Sequence, residues 1–221
     1  MSPSSVERVR RSRITKDDAL VVYVCDLQDK FAKAIAGFDH VVHATTVLIR
    51  GMDAMDSSHK NRRLIMSEQN PDKLGHTVPQ VHAAYNDATA FDKVIRSKLR
   101  FSMLEPEDYN VSERYFYSGS SNVMAKHHIV CGIEAHVCVL QTVLDLLERD
   151  QVVHVCVDAV SSIRLQDRDV ALRRMQQAGA YLTTTESILF EMLDSAASSQ
   201  FRAVSAIVRT PRPEGAPLPS L

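Results

Sequence analysis

Short runs of consecutive apolar residues, separated by segments with helical periodicity, constrain the fold of this chain more than any other feature. In residues 19–25 (ALVVYVC) nearly every position is apolar, which predicts a strand that is covered on both faces. Such strands occur in parallel sheets with helices on both sides. The sequence therefore predicts an α/β fold, a three-layer α/β/α sandwich. The predicted strands are residues 19–25, 62–66, 92–96, 129–131, 152–157 and 181–184.

The segments between the strands predict a single domain with a short arm at each end. Residues 67–81 are polar and contain proline and glycine, so we expect a loop there. Residues 1–16 are predicted to be a flexible N-terminal arm, and residues 209–221 a Pro-rich C-terminal tail. The remaining residues, 17–208, suit one α/β domain. Helical periodicity is predicted over residues 41–55, 135–149, 167–179 and 186–193.

Composition and charge argue against several classes of partner. Hydrophobic residues make up 45% of the 221 residues and charged residues 24%, which is typical of a globular protein. The formal net charge of −1 lacks the basic excess of a nucleic-acid-binding protein, so we expect no nucleic-acid partner. No segment approaches the roughly 20 apolar residues that span a bilayer, so we expect no membrane partner either.

The cysteines and histidines do not predict a metal site. There are four cysteines, none in a CxxC pair, and the histidines form no i, i+4 pair beside a carboxylate. We therefore expect neither a metal nor a cofactor. His127 and His128 directly precede a predicted strand, and we expect them at the surface.

Three of the cysteines lie in apolar runs, where cysteine is usually a small buried residue, so a reducing compartment is expected. We expect a cytoplasmic protein. The alternative is mitochondrial import, which a Ser/Arg-rich N-terminus weakly suggests and which a short solvated arm explains equally well. The arginines concerned are Arg8, Arg10, Arg11 and Arg13.

Candidate catalytic groups follow three of the predicted strands. Asp26 comes directly after the first strand, Lys98 follows the third, and Cys138 follows the fourth, with Glu134 and His136 just ahead of it. Ligands of open parallel sheets bind at the carboxyl ends of the strands, so these side chains share one edge of the sheet. The sequence therefore places an acid, an amine and a thiol at a single candidate site.

The position of Cys138 favours nucleophilic chemistry. It lies in the first turn of a predicted helix, where free N–H groups and the helix dipole stabilise a thiolate. A nearby Lys98 ammonium has the same effect, and Asp26 can accept the thiol proton and return it to a leaving amine. The N–H groups at the helix start can also bind an oxyanion. Together these groups are typical of amide hydrolysis through a thioester.

Each of these residues also has a structural interpretation. A cysteine one turn into a buried helix is more often a packing residue, and Asp26 can simply cap a loop. Lys98 belongs to a basic run whose members are usually solvated. His136 does not suit the role of base for Cys138, because helix neighbours at i and i+2 point about 200° apart. The basic run also contains Lys93, Arg96 and Arg100.

The order and spacing of these residues resemble those of a known family. The segments are Asp26-x-Gln28-x-x-Phe31, Lys98 ahead of Phe101-Ser102, and Gly132-Ile133-Glu134-Ala135-x-x-Cys138-Val139-x-x-Thr142. They resemble the isochorismatase-like (cysteine hydrolase) family, and are closest to the eukaryotic isochorismatase domain-containing proteins. The resemblance covers roughly residues 18–205.

The resemblance implies a fold and a set of site residues. It implies a six-stranded parallel sheet and an Asp–Lys–Cys triad of Asp26, Lys98 and Cys138. It also implies a cis peptide between Ile133 and Glu134, which aims the Glu134 and Cys138 N–H groups at an oxyanion. The expected partners are a small-molecule substrate and further copies of the chain, as a dimer or tetramer. Candidates for the substrate pocket are Gln28, Phe31, Glu68 and Phe101.

Departures from the family pattern narrow the expected activity. Nicotinamidase relatives carry an Asp/His/His metal set after the second strand, whereas residues 67–70 here read SEQN. True isochorismatases have glycine in place of the cysteine, so Cys138 argues against isochorismate as substrate. The leading hypothesis is a thiol hydrolase of a small amide or related C–N bond. The alternatives are a non-enzymatic binding or scaffold protein with a vestigial triad, and a ribonuclease, because some relatives carry that label.

Overall fold

Six parallel strands form the central sheet of the protein, of which a computed structural model describes residues 5–55, 61–105, 109–110, 115–118 and 123–214. Three shorter strands pair antiparallel in a separate sheet. With strands numbered along the chain, the order across the central sheet is β3 (Asp92–Lys98), β2 (Arg62–Gln69), β1 (Leu20–Cys25), β7 (His127–Ile133), β8 (Val152–Ser161) and β9 (Tyr181–Thr183). The small sheet contains β4 (Tyr109–Asn110), β5 (Tyr115–Ser118) and β6 (Val123–Met124).

Helices cover both faces of the central sheet, so the predicted three-layer α/β/α sandwich is confirmed. A π-helical turn, Ala135–Val139, leads directly into α5. No helix in the described part of the chain is long and apolar enough to cross a bilayer. The helices are α1 (Ser5–Ser12), α2 (Phe38–Asp53), α3 (Pro71–Leu74), α4 (Pro79–Asp87), α5 (Leu140–Glu148), α6 (Leu165–Ala178), α7 (Thr185–Leu193) and α8 (Phe201–Val208).

Strand β1 shows why its apolar run predicts burial on both faces. Leu20, Val22 and Val24 pack into the core beneath α2, α4, α7 and α8. Val21 and Tyr23 point the other way, into the core beneath α5 and α6. Side chains alternate between the faces of a strand, so a strand between two helical layers needs apolar residues at every position.

The segment at residues 67–81 differs from the loop expected there. Strand β2 continues through Gln69, whose register partner in β3 is Lys98. Two helices, α3 and α4, then follow, and both have proline at the helix start. Proline suits that position because its missing N–H would have no partner inside the helix. The polar side chains Ser67 and Gln69 therefore lie in the sheet rather than in a loop.

The N-terminal segment, for which a flexible arm is predicted, is described from residue 5 onwards. It contains α1, and Ile14 is only 1% exposed. The buried guanidinium of Arg62 donates to the carbonyl of Lys16, and also to that of Met52. These bonds tie the segment to the domain. At the other end, residues 209–214 follow α8, and the rest of the predicted tail lies outside the described residues.

Three histidines are buried at the amino ends of neighbouring strands, against the expected surface position of His127 and His128. Nδ1 of His127 lies 3.0 Å from Nε2 of His154, and His128 Nε2 lies 3.1 Å from Gln151 Oε1. Burial lowers the pKa of His127 to about 4 and those of His128 and His154 to about 3. Two adjacent histidines suggest a polar surface, but the His128 ring stacks on Tyr23 of β1 and the His127 ring contacts His154 of β8.

These histidines are expected to make the fold acid-sensitive. Above about pH 6.5 the rings are neutral in both the folded and the unfolded chain. Below it the unfolded chain takes up protons that the folded chain does not, so stability falls with pH. Between about pH 7.5 and pH 5, each fully buried ring lowers the free energy of unfolding by about 2 kcal/mol.

The measurement is urea unfolding across this pH range for the wild type and for His128→Phe. The variant should show a shallower fall in stability, because one titrating ring is gone. His82→Phe, at an exposed position, is the matched control and should keep the wild-type slope. A stability that stays flat down to pH 5 would contradict the argument.

Candidate active site

Three strand ends bring the predicted catalytic residues together. Asp26 follows β1, Lys98 is the last residue of β3, and Cys138 lies in the π-helical turn after β7. Lys98 Nζ is 2.7 Å from Asp26 Oδ2. A carboxylate oxygen of Asp26 and the sulfurs of Cys25 and Cys138 lie within 4.8 Å of one another. The acid, the amine and the thiol therefore form one buried cluster at the carboxyl edge of the sheet.

Lys98 is buried and fully hydrogen-bonded, unlike a solvated member of a basic run. Besides Asp26, its ammonium donates to Gln69 Oε1 at 2.7 Å and to the carbonyls of Phe101 at 3.1 Å and Arg100 at 3.3 Å. Burial by itself lowers the pKa of Lys98, but the interactions of its ammonium with the neighbouring acidic groups of Cys25, Asp26 and Cys138 outweigh burial and raise the pKa. The cation is therefore retained inside the protein.

Asp26 is the centre of the hydrogen-bond network. Its Oδ1 accepts from Ser67 Oγ at 2.7 Å, and its Oδ2 accepts from Lys98 and from Cys25 Sγ at 3.4 Å. Its backbone has a φ of 54°, in the left-handed region, which turns the chain sharply at the end of β1. These donors hold the carboxylate in a single orientation.

Three residues of this network have no place in the sequence-based site. The sequence predicts a loop at Ser67 and Gln69 and a packing role for Cys25. Ser67 and Gln69 are two residues apart and so lie on one face of β2, but no alternation of polar and apolar residues marks them in the sequence as part of the strand. Cys25 is the register partner of Ser67, which brings both residues beside Asp26.

The turn before Cys138 differs from the expected cis peptide. No peptide bond among the described residues is cis, so the Ile133–Glu134 bond is trans. The chain turns instead through positive φ angles, 125° at Gly132 and 53° at Glu134. The carbonyl of Glu134 accepts from the N–H groups of Val137 at 2.9 Å and Val139 at 3.4 Å. These bonds begin the turn that carries Cys138.

Two predicted pocket residues make hydrogen bonds within the protein. The amide nitrogen of Gln28 donates to the carbonyls of Gly75 at 2.6 Å and Gln69 at 3.1 Å, and its oxygen accepts from the Gln69 N–H. Glu68 accepts from the N–H and hydroxyl of Thr77 and contacts His76 Nδ1 at 2.9 Å. Both side chains thus fasten the segment between β2 and α4.

The two aromatic pocket candidates differ in exposure. Phe31 is partly buried and packs against the core on the α2 side. Phe101 is 49% exposed, and its carbonyl is one of the acceptors of Lys98. Phe101 is therefore the candidate of the four with open surface next to the network.

His136, which lies two residues before Cys138, has polar contacts of its own. Nδ1 of His136 lies 3.3 Å from Glu134 Oε2 and 3.1 Å from Ser162 Oγ. This agrees with the opposite directions expected for helix neighbours at i and i+2. In the described part of the chain, the group with metal-ligand spacing is Cys25, Asp26 and Cys138. There the Lys98 ammonium already contacts the carboxylate.

Comparison with known proteins identifies the family. The isochorismatase domain model matches residues 18–187, which include the whole network. The chain belongs to the isochorismatase family. Isochorismatase domain-containing protein 2 of Xenopus laevis is 36% identical over 194 residues, covering 88% of this chain and 85% of that protein. Membership supports a hydrolase of this fold.

Solved structures agree with the fold. A MAR1 ribonuclease from Caenorhabditis elegans is 37% identical and superposes with a TM-score of 0.74, covering 95% of this chain and 100% of that chain. The YcaC gene product of Escherichia coli, described as an octameric hydrolase of unknown specificity, has a TM-score of 0.70. At 20% identity, with 94% of this chain and 92% of that chain covered, YcaC is similar in fold alone.

In this member of the isochorismatase family, Gly132 allows β7 to pack closely against Cys25 of β1. Gly132 and Cys25 are register partners in β7 and β1. A Cβ on Gly132 would lie 2.2 Å from the Cys25 carbonyl oxygen and 2.6 Å from the Cys25 Cβ. No real Cβ approaches other atoms so closely. The strand therefore reaches the network only because this residue has no side chain.

Substitution of Gly132 tests this close approach. Gly179 is a matched control, because its φ is also positive, 115°, but a Cβ there would meet its nearest atom at 4.0 Å. Gly179→Ala carries the conformational strain alone and should lower the free energy of unfolding by about 1 kcal/mol. Gly132→Ala adds the clash and should lose at least about 3 kcal/mol. Urea unfolding measures both, and equal losses would show that the clash is relieved at no cost.

Proposed function

We propose that this member of the isochorismatase family is a thiol hydrolase that cleaves a small amide or a related C–N bond. Cys138 is the nucleophile, Asp26 the general base and acid, and Lys98 the cation that holds Asp26. One observation carries the proposal, namely that the Asp26 carboxylate, bonded to Lys98 at 2.7 Å, has an oxygen within 4.8 Å of the Cys138 sulfur. Buried charged groups next to a nucleophilic side chain are typical of catalytic sites.

The proposed reaction has two stages. Asp26 accepts the thiol proton as Cys138 Sγ attacks the carbonyl carbon, and the carbonyl oxygen becomes an oxyanion. N–H groups at the start of the helical turn, including those of Glu134 and Cys138, stabilise that oxyanion. Asp26 then gives the proton to the leaving amine as the C–N bond breaks, which leaves a thioester. Water, activated by Asp26, hydrolyses the thioester and restores the thiol.

Cys138 suits the nucleophile better than Cys25 does, although both lie beside Asp26. Burial, with additional effects of Cys138 and of the Asp26 charge, raises the pKa of Cys25 well above its usual value. Cys25 therefore stays a thiol at neutral pH. Cys138 lies in the first turn of the helical segment formed by the π-helical turn and α5, beside the N–H groups that would bind the oxyanion.

We further propose that the chain assembles with copies of itself. YcaC, which shares the fold, is described as octameric. In this chain Leu99, next to Lys98, is 78% exposed, and Val170 on α6 is also exposed. Sedimentation equilibrium should give a mass at least twice the 24.7 kDa of one chain at micromolar concentration. A single species of monomer mass would contradict this assembly.

A covalent adduct on Cys138 is the direct test of the hydrolase. Intact-mass spectrometry across a panel of small amides should show an acyl adduct on the wild-type protein. Cys138→Ala should abolish turnover, and Asp26→Asn should lower it by at least about a hundredfold, as expected for loss of a general base. Cys156→Ala is the control, because Cys156 is buried on the other face of the sheet.

The same experiment separates the alternatives. If Cys138 alkylates no faster than free cysteine, and Cys138→Ala changes no activity, the site is vestigial and the protein is a binding protein. The relative named as a ribonuclease makes RNA a second candidate substrate, so an RNA arm is included. RNA cleavage that persists in Cys138→Ala would assign a ribonuclease that uses other residues and would overturn the proposal.

A further inference from the structure

The site contains a second thiol for which the proposed hydrolysis has no use. Cys25 is the last residue of β1, and its sulfur lies within 4.8 Å of the Cys138 sulfur. Cys25 Sγ also donates to Asp26 Oδ2 at 3.4 Å. The same carboxylate therefore stands beside both sulfurs.

The fold separates these two cysteines from the other two. Cys25 and Cys138 both belong to the core on the α5 and α6 side of the sheet. Cys131 and Cys156 belong to the core on the α2 side, and Cys131 Sγ donates to the carbonyl of Tyr23 at 3.3 Å. With four free cysteines in the chain, this division leaves Cys138 facing one other thiol.

We propose that Cys25 and Cys138 form a reversible disulfide when a hydroperoxide reaches the site. Asp26 takes the Cys138 thiol proton as the sulfur attacks the peroxide, an S–O bond forms and the O–O bond breaks. Cys138 becomes a sulfenic acid, and the leaving alkoxide or hydroxide takes the proton from Asp26 and departs as an alcohol or water. Cys25 sulfur then attacks the Cys138 sulfur, and the S–O bond breaks. Asp26 takes the Cys25 proton and delivers it to the departing hydroxide, so one water leaves.

The separation of the two sulfurs sets how far they must move. A disulfide brings two sulfurs to about 2 Å, so those of Cys25 and Cys138 must approach each other from their present separation of at most 4.8 Å. Gly132, the register partner of Cys25, places no side chain against it. Asp26 is already hydrogen-bonded to Cys25, so the base that this step needs is in place.

The disulfide would have two consequences. It protects Cys138 from irreversible oxidation to sulfinic and sulfonic acid, because a sulfenic acid that meets a thiol is trapped as a disulfide. It also removes the nucleophile, which switches off hydrolysis until a thiol reductant restores it. This second consequence rests on the proposed hydrolase function, whereas the formation of the disulfide does not.

The test measures the oxidation state of the cysteines in the full chain and does not depend on activity. The protein is treated with hydrogen peroxide, alkylated under denaturing conditions and digested with trypsin without reduction. The expected product joins residues 17–30, which contain Cys25, to residues 127–149. Because the second peptide also contains Cys131, fragment ions must assign the bond to Cys138. Dithiothreitol should release both peptides.

Two variants provide the controls. Cys131→Ala should keep the cross-link, because this thiol lies on the other side of the sheet. Cys25→Ala should lose it, and Cys138 should pass to sulfinic and sulfonic acid at least about tenfold faster than in the wild type. A cross-link through Cys131 or Cys156 would overturn the proposal. So would irreversible oxidation of Cys138 at the same rate with and without Cys25.

An activity assay on the same samples separates the two proposals. A cross-link in a protein that hydrolyses nothing in the amide panel refutes the hydrolase and leaves the disulfide standing. Hydrolysis that peroxide abolishes, and that dithiothreitol does not restore, refutes the disulfide and leaves the hydrolase standing.

Discussion

The buried ion pair between Lys98 and Asp26 constrains the positions of the groups around it. Their side chains are 2% and 3% exposed, and removing two charges from water costs several kcal/mol for each ion unless other groups satisfy them. Here Ser67 supplies a donor to the acid, and Gln69 and two backbone carbonyls supply acceptors to the amine. The strand ends that carry these groups must therefore hold fixed positions. A site with such fixed donors and acceptors is organised before any substrate binds.

The topology explains why these groups converge. Strand β1 lies between β2 and β7, and β3 lies beyond β2, so the ends of four adjacent strands supply the whole network. The left-handed backbone at Asp26 and Glu134 lets the chain leave β1 and β7 abruptly instead of running on past the sheet. The acid and the thiol then face each other across the gap between those two strands.

The sequence predicts the framework well because its apolar periodicity is strong. The segments that form β1, α2 and β8 are apolar on each face that another element covers. This pattern predicts whether each segment is a strand or a helix. Asp26, Lys98 and Cys138 could be named because each follows a predicted strand and matches the family spacing. Ser67 and Gln69 were missed because polar residues at a strand end look like a loop, although the ladder with β3 continues. The burial of His127 and His128 depends on neighbouring strands that are distant in sequence.

The histidine cluster and the thiol network lie at opposite ends of the same central strands. β1 and β7 run from residues beside the buried imidazoles to Cys25 and Ile133 at the edge that carries the candidate site. A proton taken up by an imidazole at one end weakens the sheet that positions the thiol at the other. The acidic limb of an activity–pH curve would then report cooperative loss of the fold and not the ionisation of a catalytic group. An inhibitor that stabilises the folded chain would move that limb to lower pH without touching a histidine.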